Sequence, residues 1–306
     1  MIIIPACGSC QEKFTTMKKT RQSNLESGIP DVPVLHYPQD SRKFQKIVLD
    51  HYREHRRDLA WRKTADPYQI LVSEIMLQQT QVNRVTQKFP AFIDTFPDFA
   101  SLAAASLSEV LAVWQGLGYN RRVIALQKCA QKVMTESGGS LPADVETLTT
   151  FPGIGRATAS SICAFAFNMP VIFIETNIRR VCIHFFFSDT AAVNDAEILP
   201  IVQDTLYRED PRTWYNALMD LGTSLKKTVP NPNRRSVHYT KQSAFEGSDR
   251  EIRGWILKSL LTGEKTTDKT IIGHFPDDPA RIRRVLAALE HEGFISRSGS
   301  HLGLSL

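Results

Sequence analysis

The chain has 306 residues, a formal net charge of +5 and 42% hydrophobic residues. This length accommodates one large domain with a small one, or two lobes, and the composition argues against a collagen, a coiled coil or a chain disordered throughout. The longest apolar stretch, 162–175, is interrupted by Asn168 and Pro170 and is too short to span a bilayer. The first residues, MIIIPACGSC, lack the features of a signal peptide, so we expect a cytoplasmic protein without a membrane segment.

Residues 1–40 are polar, rich in proline and without periodicity, which predicts a poorly ordered leader. Cys7 and Cys10 form a CxxC pair, but no second pair follows at the spacing of zinc ligands. Because only two of the four ligands of a structural zinc site are present, we favour a frayed terminus over a zinc site. The five cysteines are too few and too widely spaced to indicate a disulfide framework.

Beyond the leader the pattern is helical almost to the end of the chain. Asp66, Pro67 and Gln69 supply the N-cap, the first-turn proline and the N3 amide of a helix that carries LVSEIMLQQTQV. Glycines at 116 and 118 predict a turn between later helices. We therefore predict an all-α domain over residues 41–225.

Residues 246–306 predict a small winged-helix-like domain, because three short helical segments precede a two-stranded hairpin. The third segment is the clearest, since Asp278 can cap it, Pro279 stands at its first position and Gly293 ends it. Arg284 lies on this segment as a candidate DNA contact. The alternative is a helical cap whose arginines are merely solvated.

Residues 226–245 predict a basic linker. Its first part, KKTVPNPNRRSVHYTK, has five Lys or Arg residues and no acid. Such a run is usually a solvated face, but it is also the composition of a phosphate-binding surface. On the second interpretation Lys226, Arg234 and Arg235 are candidate DNA contacts.

The segment TTFPGIGRATAS, residues 149–160, predicts a helix-hairpin-helix turn. Gly153 and Gly155 permit a tight turn that leaves backbone amides bare at the start of the next helix, beside Arg156 and Thr158. Bare amides and the helix dipole bind phosphate groups. The alternative is a tight interhelix turn without a ligand.

Residues 58–222 resemble the helix-hairpin-helix DNA glycosylases, and most closely the adenine-specific mismatch glycosylases of the MutY type. The resemblance rests on PYQILVSEIMLQQTQV, LAVWQGLGYNRR, FPGIGRATAS, ETNIRRV and NALMDLG, which occur in family order. It implies two helical lobes with a DNA-binding cleft between them and the hairpin on one wall. It further implies a monomeric, nucleoid-associated repair protein whose partner is double-stranded DNA with a mispair or lesion.

A glycosylase needs a general acid near the flipped base and a negative charge near the sugar. Glu74 fits the acid, because the resemblance places it at the adenine-protonating glutamate and its apolar helix should raise its pKa by desolvation. The alternative is a structural buried glutamate. The resemblance also implies that Gln78 and Gln79 enter the duplex and that Tyr119, followed by Arg121, intercalates beside the lesion, although the amides could be plain surface and the aromatic ring core.

Glu175 matches the catalytic aspartate that opens an Asp-Gly-Asn sequence in the family, which here reads Glu-Thr-Asn and ends at Asn177. The extra methylene moves the charge by about 1 Å, enough to cost about a hundredfold in rate where geometry is critical. Either the pocket has adjusted, which we favour, or the reaction is slow, altered or lost. Arg179 and Arg180 are then candidate phosphate contacts, unless one pairs with a carboxylate.

Three further departures from the family bear on function. Ala157 replaces the lysine with which bifunctional relatives cleave the strand, so we predict a monofunctional enzyme. No cysteine follows Gly222, so no [4Fe–4S] cluster is expected, and no other metal, although a monovalent cation at the hairpin stays open. Residues 246–306 are also too short for the family domain that recognises oxidised guanine.

Adenine in a mispair is therefore the first candidate substrate. The alternatives are thymine or uracil opposite guanine, another modified base, or a non-catalytic protein that binds mismatched or damaged DNA.

Overall fold

The computed structural model describes residues 35–263, 266–276 and 278–305. The CxxC pair and most of the predicted leader lie outside these residues. Helices dominate the described chain, as predicted, and strands occur only near its end. The α-helices are α1 Ser41–His55, α2 Pro67–Leu77, α3 Val82–Thr95, α4 Phe99–Ala104, α5 Leu107–Trp114, α6 Arg121–Glu136, α7 Val145–Leu148, α8 Arg156–Phe167, α9 Thr176–Phe186, α10 Asp195–Thr205, α11 Pro211–Thr228, α12 Asp249–Leu261, α13 Asp268–His274 and α14 Pro279–His291.

The chain divides into two compact units. Among the described residues, one unit, called the Glu175 unit, comprises those up to Asp58 together with Cys163–Thr240. The other, called the Glu74 unit, comprises Leu59–Ile162 and the described residues from Lys241 onwards. The boundary falls inside α8, and the C-terminal segment groups with residues 59–162.

The Glu175 unit is built around α9 and α11, with α1 and α10 packed against them. Its centre is aromatic: the Phe44 ring lies 5.4 Å from Phe185 and 5.9 Å from Trp214, both edge to face. Edge-to-face pairs of buried rings add about 1 kcal/mol beyond their area burial. Leu35 is also buried here, although the sequence places it in the leader.

The first half of the segment predicted as a linker is structured. Helix α11 continues to Thr228, and a 3₁₀ helix follows at Pro232–Arg235. The backbone amide of Val193 then donates to the carbonyl of Arg235 at 2.8 Å, which ties this segment to the chain before α10. The first part of the basic run therefore belongs to the Glu175 unit.

In the Glu74 unit, α2 begins as predicted: Asp66 accepts a hydrogen bond from the amide of Tyr68, and Pro67 stands in the first turn. Helix α14 also matches its prediction, since Asp278 caps it and Gly293 follows its end with a positive φ of 76°. Its apolar stripe is buried. The buried residues are Ile282, Val285, Leu286 and Leu289.

Two antiparallel strands close the chain, β1 Ile295–Ser298 and β2 His301–Leu304. Ser298 pairs with His301, so the connection is a two-residue turn, and Gly299 supplies the positive φ that such turns require. The predicted elements of the C-terminal segment are all present; its resemblance to a winged helix stays a prediction. No helix among the described residues is long and apolar enough to cross a membrane.

Candidate active site

The hairpin connects α7 to α8 in the Glu74 unit. Asp144 caps α7 by accepting from the amide of Thr147 at 2.7 Å. Gly153 has a φ of +79°, and a Cβ there would lie 2.9 Å from the Cβ of Ala125, so both conformation and space require glycine. Gly155 is exposed just before α8 begins. The first amides of a helix have no acceptor within it, which leaves donors for a phosphate at this point.

Two predicted hairpin contacts surround this helix start. The exposed Arg156 pairs with Glu146 at 2.8 Å, a surface ion pair worth about 0–1 kcal/mol. Thr158 faces α2, where its hydroxyl accepts from Nε2 of Gln78 at 3.3 Å. Thr158 is therefore turned towards the helix that carries Glu74.

Glu74 lies on the same side of α2 as Gln78, four residues earlier. Its Oε2 accepts a hydrogen bond from the hydroxyl of Ser161 at 2.6 Å, and that hydroxyl lies 2.9 Å from the carbonyl oxygen of Thr158. Ser161 is buried, whereas Glu74 is only partly so. The hairpin helix thus orients the predicted general acid. Ser161 was not predicted from the sequence, where its signal is its position about one helical turn after Thr158.

Arg122 is a second residue of the site that was not predicted from the sequence. Its guanidinium donates to the carbonyl oxygens of Ile75 at 2.8 Å and Met76 at 2.9 Å, at the end of α2, and to that of Gly118 at 3.0 Å, in the loop before α6. Burial lowers the pKa of Arg122 to about 10, so it stays charged near neutrality. A cation at a helix C-terminus also suits the helix dipole. Arg122 therefore joins the C-terminal end of α2, the helix that carries Glu74, to the loop that carries Tyr119.

Two of the three residues predicted to enter the duplex, Gln79 and Tyr119, have strained backbones, and they are called the wedge residues below. Gln79 has a φ of +54° and Tyr119 a φ of +49°, values that cost a residue with a side chain on the order of 1 kcal/mol. Gln79 is exposed. Tyr119 is half-buried, its hydroxyl accepts from Nη1 of Arg250 at 2.8 Å, and its ring lies 5.4 Å from the guanidinium of Arg122. Strain of this kind persists where surrounding contacts hold it, and it often marks functional loops.

Arg121, the predicted neighbour of the wedge, forms an ion pair with Glu292 at 2.6 Å. The same carboxylate pairs with Arg253. Burial alone would raise the pKa of Glu292, but the two guanidinium groups hold it down, at about 2. This pairing ties the start of α6 to the C-terminal segment.

In the Glu175 unit, Glu175 is the N-cap of α9. Its Oε1 accepts from the amides of Asn177 and Ile178, the latter at 2.9 Å, and its Oε2 lies 3.4 Å from Nδ2 of Asn177. Burial raises the pKa of Glu175, while the two amides and the nearby Arg180 and Arg179 oppose that rise. The longer acid is therefore held in one orientation by the helix start.

Asn177 is itself held in place by the buried side chain of Arg180. Its Oδ1 accepts from Nη1 of Arg180 at 2.6 Å, and Arg180 also donates to the carbonyl oxygen of Gly222 at 2.8 Å and to Asn231 at 3.1 Å. Arg180 is 4% exposed, so it braces the start of α9 from the interior, a role other than the phosphate contact expected from the sequence. A Cβ on Gly222 would lie 2.6 Å from the Cβ of Asn177, so only glycine permits this approach.

The remaining predicted cations of this unit divide into two groups. Arg179 makes two hydrogen bonds of 2.6 Å to Asp195, which is the carboxylate pairing that the sequence left open. Arg235 donates to the carbonyl oxygens of Ile183 at 3.1 Å and Ser188 at 2.8 Å, and so caps the end of α9. Both side chains are thus occupied within the unit. Lys226 and Arg234 are exposed here, as is Arg284 in the Glu74 unit.

Known proteins resemble this chain over most of its length. Residues 72–199 match the HhH-GPD superfamily of base excision DNA repair proteins. The adenine DNA glycosylase of Mycolicibacterium smegmatis is 33% identical over 274 residues, which cover 82% of this chain and 92% of that protein. This chain belongs to the adenine DNA glycosylase family. The mouse member is 32% identical over 84% of this chain and 52% of its own length.

Solved structures share the fold of this glycosylase. A thermostable thymine-DNA glycosylase aligns with a TM-score of 0.52 and 23% identity, over 60% of this chain and 88% of its own. An endonuclease III–DNA covalent intermediate aligns with the same TM-score and 19% identity, over 60% of this chain and 85% of its own. The helix-hairpin-helix glycosylase fold predicted from the sequence is thereby confirmed. The chain is a DNA glycosylase of base excision repair that acts on DNA.

Proposed function

We propose that this glycosylase removes adenine from a mispair in double-stranded DNA by hydrolysing its N-glycosidic bond. The observation that carries the proposal is the fixed orientation of Glu175, whose Oε1 faces two amides at the start of α9. A fixed carboxylate at this position supports the proposal that the longer acid still serves the reaction. The names of the relatives, adenine DNA glycosylases from bacteria and mammals, support adenine as the base.

In the proposed reaction, Glu74 transfers its proton to a ring nitrogen of the flipped adenine. The electron pair of the C–N bond then leaves with the base, and the sugar becomes an oxocarbenium cation. The Glu175 carboxylate stabilises this cation, as the second carboxylate of a glycoside hydrolase does. Water adds to the sugar carbon and loses its proton, so the products are free adenine and an abasic site.

Ser161 can serve both protonation states of Glu74. When Glu74 is ionised, the hydroxyl donates to it, as the 2.6 Å contact indicates. When Glu74 is protonated, it donates to Ser161, whose own proton then turns to the carbonyl oxygen of Thr158 at 2.9 Å. A hydroxyl is both donor and acceptor, so the carboxyl group keeps a partner before and after proton transfer.

We extend the proposal to a monofunctional enzyme that acts as a monomer on nucleoid DNA. Ala157, at the exposed start of α8, has no amine with which to form a Schiff base. The family's [4Fe–4S] cluster does not fit this chain, because such a cluster needs four thiolates and no cysteine follows Gly222. The described cysteines, Cys129, Cys163 and Cys182, are all buried.

The test is a panel of duplexes with each mispair and several base lesions, incubated with the protein and treated with alkali to reveal abasic sites. We expect strand breaks at adenine, and only after alkali. Glu74→Gln and Glu175→Gln should abolish them, while Glu146→Gln, an exposed glutamate beside the hairpin, should not. Breaks at thymine or uracil would identify another substrate, and tight mismatch binding without breaks would identify a binding protein. Iron in the purified protein would contradict the absence of a cluster.

A further inference from the structure

Within the Glu74 unit, the C-terminal segment faces the wedge loops across a groove of about 920 Å³. One side is formed by the loops around Gln79 and Tyr119, and the other by the chain at Gln242–Phe245 with α12 and α14. Of the site residues predicted from the sequence, only Arg284 comes from the second side. The groove therefore adds a surface that the family motifs do not describe.

The groove has an excess of positive charge. Its cationic lining residues are Arg84, Arg121, Arg122, Arg250, Arg253, Lys258 and Arg284, and Asp249 is its one acidic lining residue. Part of this charge is neutralised inside the unit, since Glu292 pairs with Arg121 and Arg253. Among the described residues, Arg84, Lys258 and Arg284 are exposed and form no ion pair. Three unpaired cations thus point to an anionic partner.

Aromatic side chains indicate that this partner is a nucleic acid. Phe245 lines the groove and is 58% exposed. Contact of such a large apolar ring with water is unfavourable, so a partner that covers the ring would be stabilised. Tyr119 lies in the same groove, held at its hydroxyl by Arg250 and Gln242. Cations along a groove with aromatic faces among them are the composition of surfaces that bind nucleic acid strands, because phosphates meet the cations and bases stack on the rings.

We propose that this groove binds a DNA strand, with Arg84, Lys258 and Arg284 contacting phosphates and Phe245 contacting an unstacked base. The proposal rests on the proposed function for the presence of DNA at the wedge loops. Phosphate contacts carry no sequence information, so they should strengthen binding to paired and mispaired duplexes alike.

The full-length protein with Lys258→Gln and Arg284→Gln tests the phosphate contacts. The slope of log affinity against log salt concentration is negative, and each lost phosphate contact should reduce its magnitude by about 0.9. The slope of the double variant should therefore be shallower by about 2. Arg283→Gln is the matched control, because Arg283 is exposed on the same helix and does not line the groove. Equal slopes for the double variant and the control would overturn the proposal. Unchanged urea midpoints would show that all variants fold.

Phe245→Ala tests the base contact. We expect about fivefold or more weaker binding to a mispaired duplex, with a smaller loss on the fully paired duplex, because only the mispair releases a base to stack. An equal loss of affinity on both duplexes, or no loss on either, would show that Phe245 does not contact an unstacked base.

Base excision is measured on the same samples. Changed salt slopes without any excision would support DNA binding in the groove and contradict the proposed glycosylase reaction. Excision with unchanged slopes would support the reaction and contradict DNA binding in the groove.

Discussion

Replacing Ser161 with alanine should slow base excision without unfolding the enzyme. The substitution removes the hydroxyl that lies 2.6 Å from Glu74 and leaves that carboxyl group without this partner. A hydrogen bond to a charged group is worth about 1.5–3 kcal/mol. If all of this is lost in the transition state, the rate falls by about 10- to 150-fold, since about 1.4 kcal/mol corresponds to a factor of ten.

The assay is single-turnover excision with enzyme in excess over an adenine-containing mispaired duplex, so that product release does not limit the rate. Ser160→Ala is the matched control, because Ser160 is an equally buried serine on the same helix without a hydrogen bond to Glu74. Ser161→Thr, which keeps the hydroxyl, should recover part of the rate. A Ser161→Ala enzyme that excises within twofold of the unsubstituted protein would refute the assignment of Ser161, and with it the orientation of Glu74 by the hairpin helix.

Three further predictions concern the architecture of the site. Gly222→Ala should lower the free energy of unfolding by about 1–3 kcal/mol, because its Cβ would meet Asn177 at 2.6 Å, whereas Gly254→Ala, with open space around it, should not; urea unfolding measures both. Arg122→Ala should cost more than about 2 kcal/mol in the same assay, since it strips a cation from several carbonyl oxygens. In a pH–rate profile, excision should fall as acid protonates Glu175, with a midpoint above the usual glutamate range because burial raises the pKa of Glu175; a midpoint at the ordinary value would contradict this.

The sequence predicted correctly those helix caps, helix ends and turns that depend only on neighbouring residues. The cap at Asp66, the end of α14 at Gly293 and the closing hairpin depend on neighbouring residues, so propensity and turn chemistry suffice to predict them. The family motifs likewise led to the fold that the solved structures confirm. These features need no knowledge of which helices meet.

The roles of the arginines could not be predicted in this way. In the sequence Arg179 and Arg180 are equivalent neighbours, yet one pairs with Asp195 and the other is buried under Asn177. Their partners lie 16 and 3 residues away, and those of Arg180 extend to Asn231, 51 residues on. Charge alone predicts a phosphate contact at any exposed arginine, and only burial separates a brace from a contact.

The sequence by itself determined the family and the helical architecture, and it predicted the two carboxylates, because all of these depend on motifs and periodicities along the chain. Only the tertiary structure decided how those carboxylates are held: Glu74 by a serine 87 residues later, and Glu175 by the start of its own helix, beneath which a glycine of α11 makes room. The physical reason is that hydrogen bonds and close packing are made between groups brought together by folding, and their partners have no fixed spacing in the sequence.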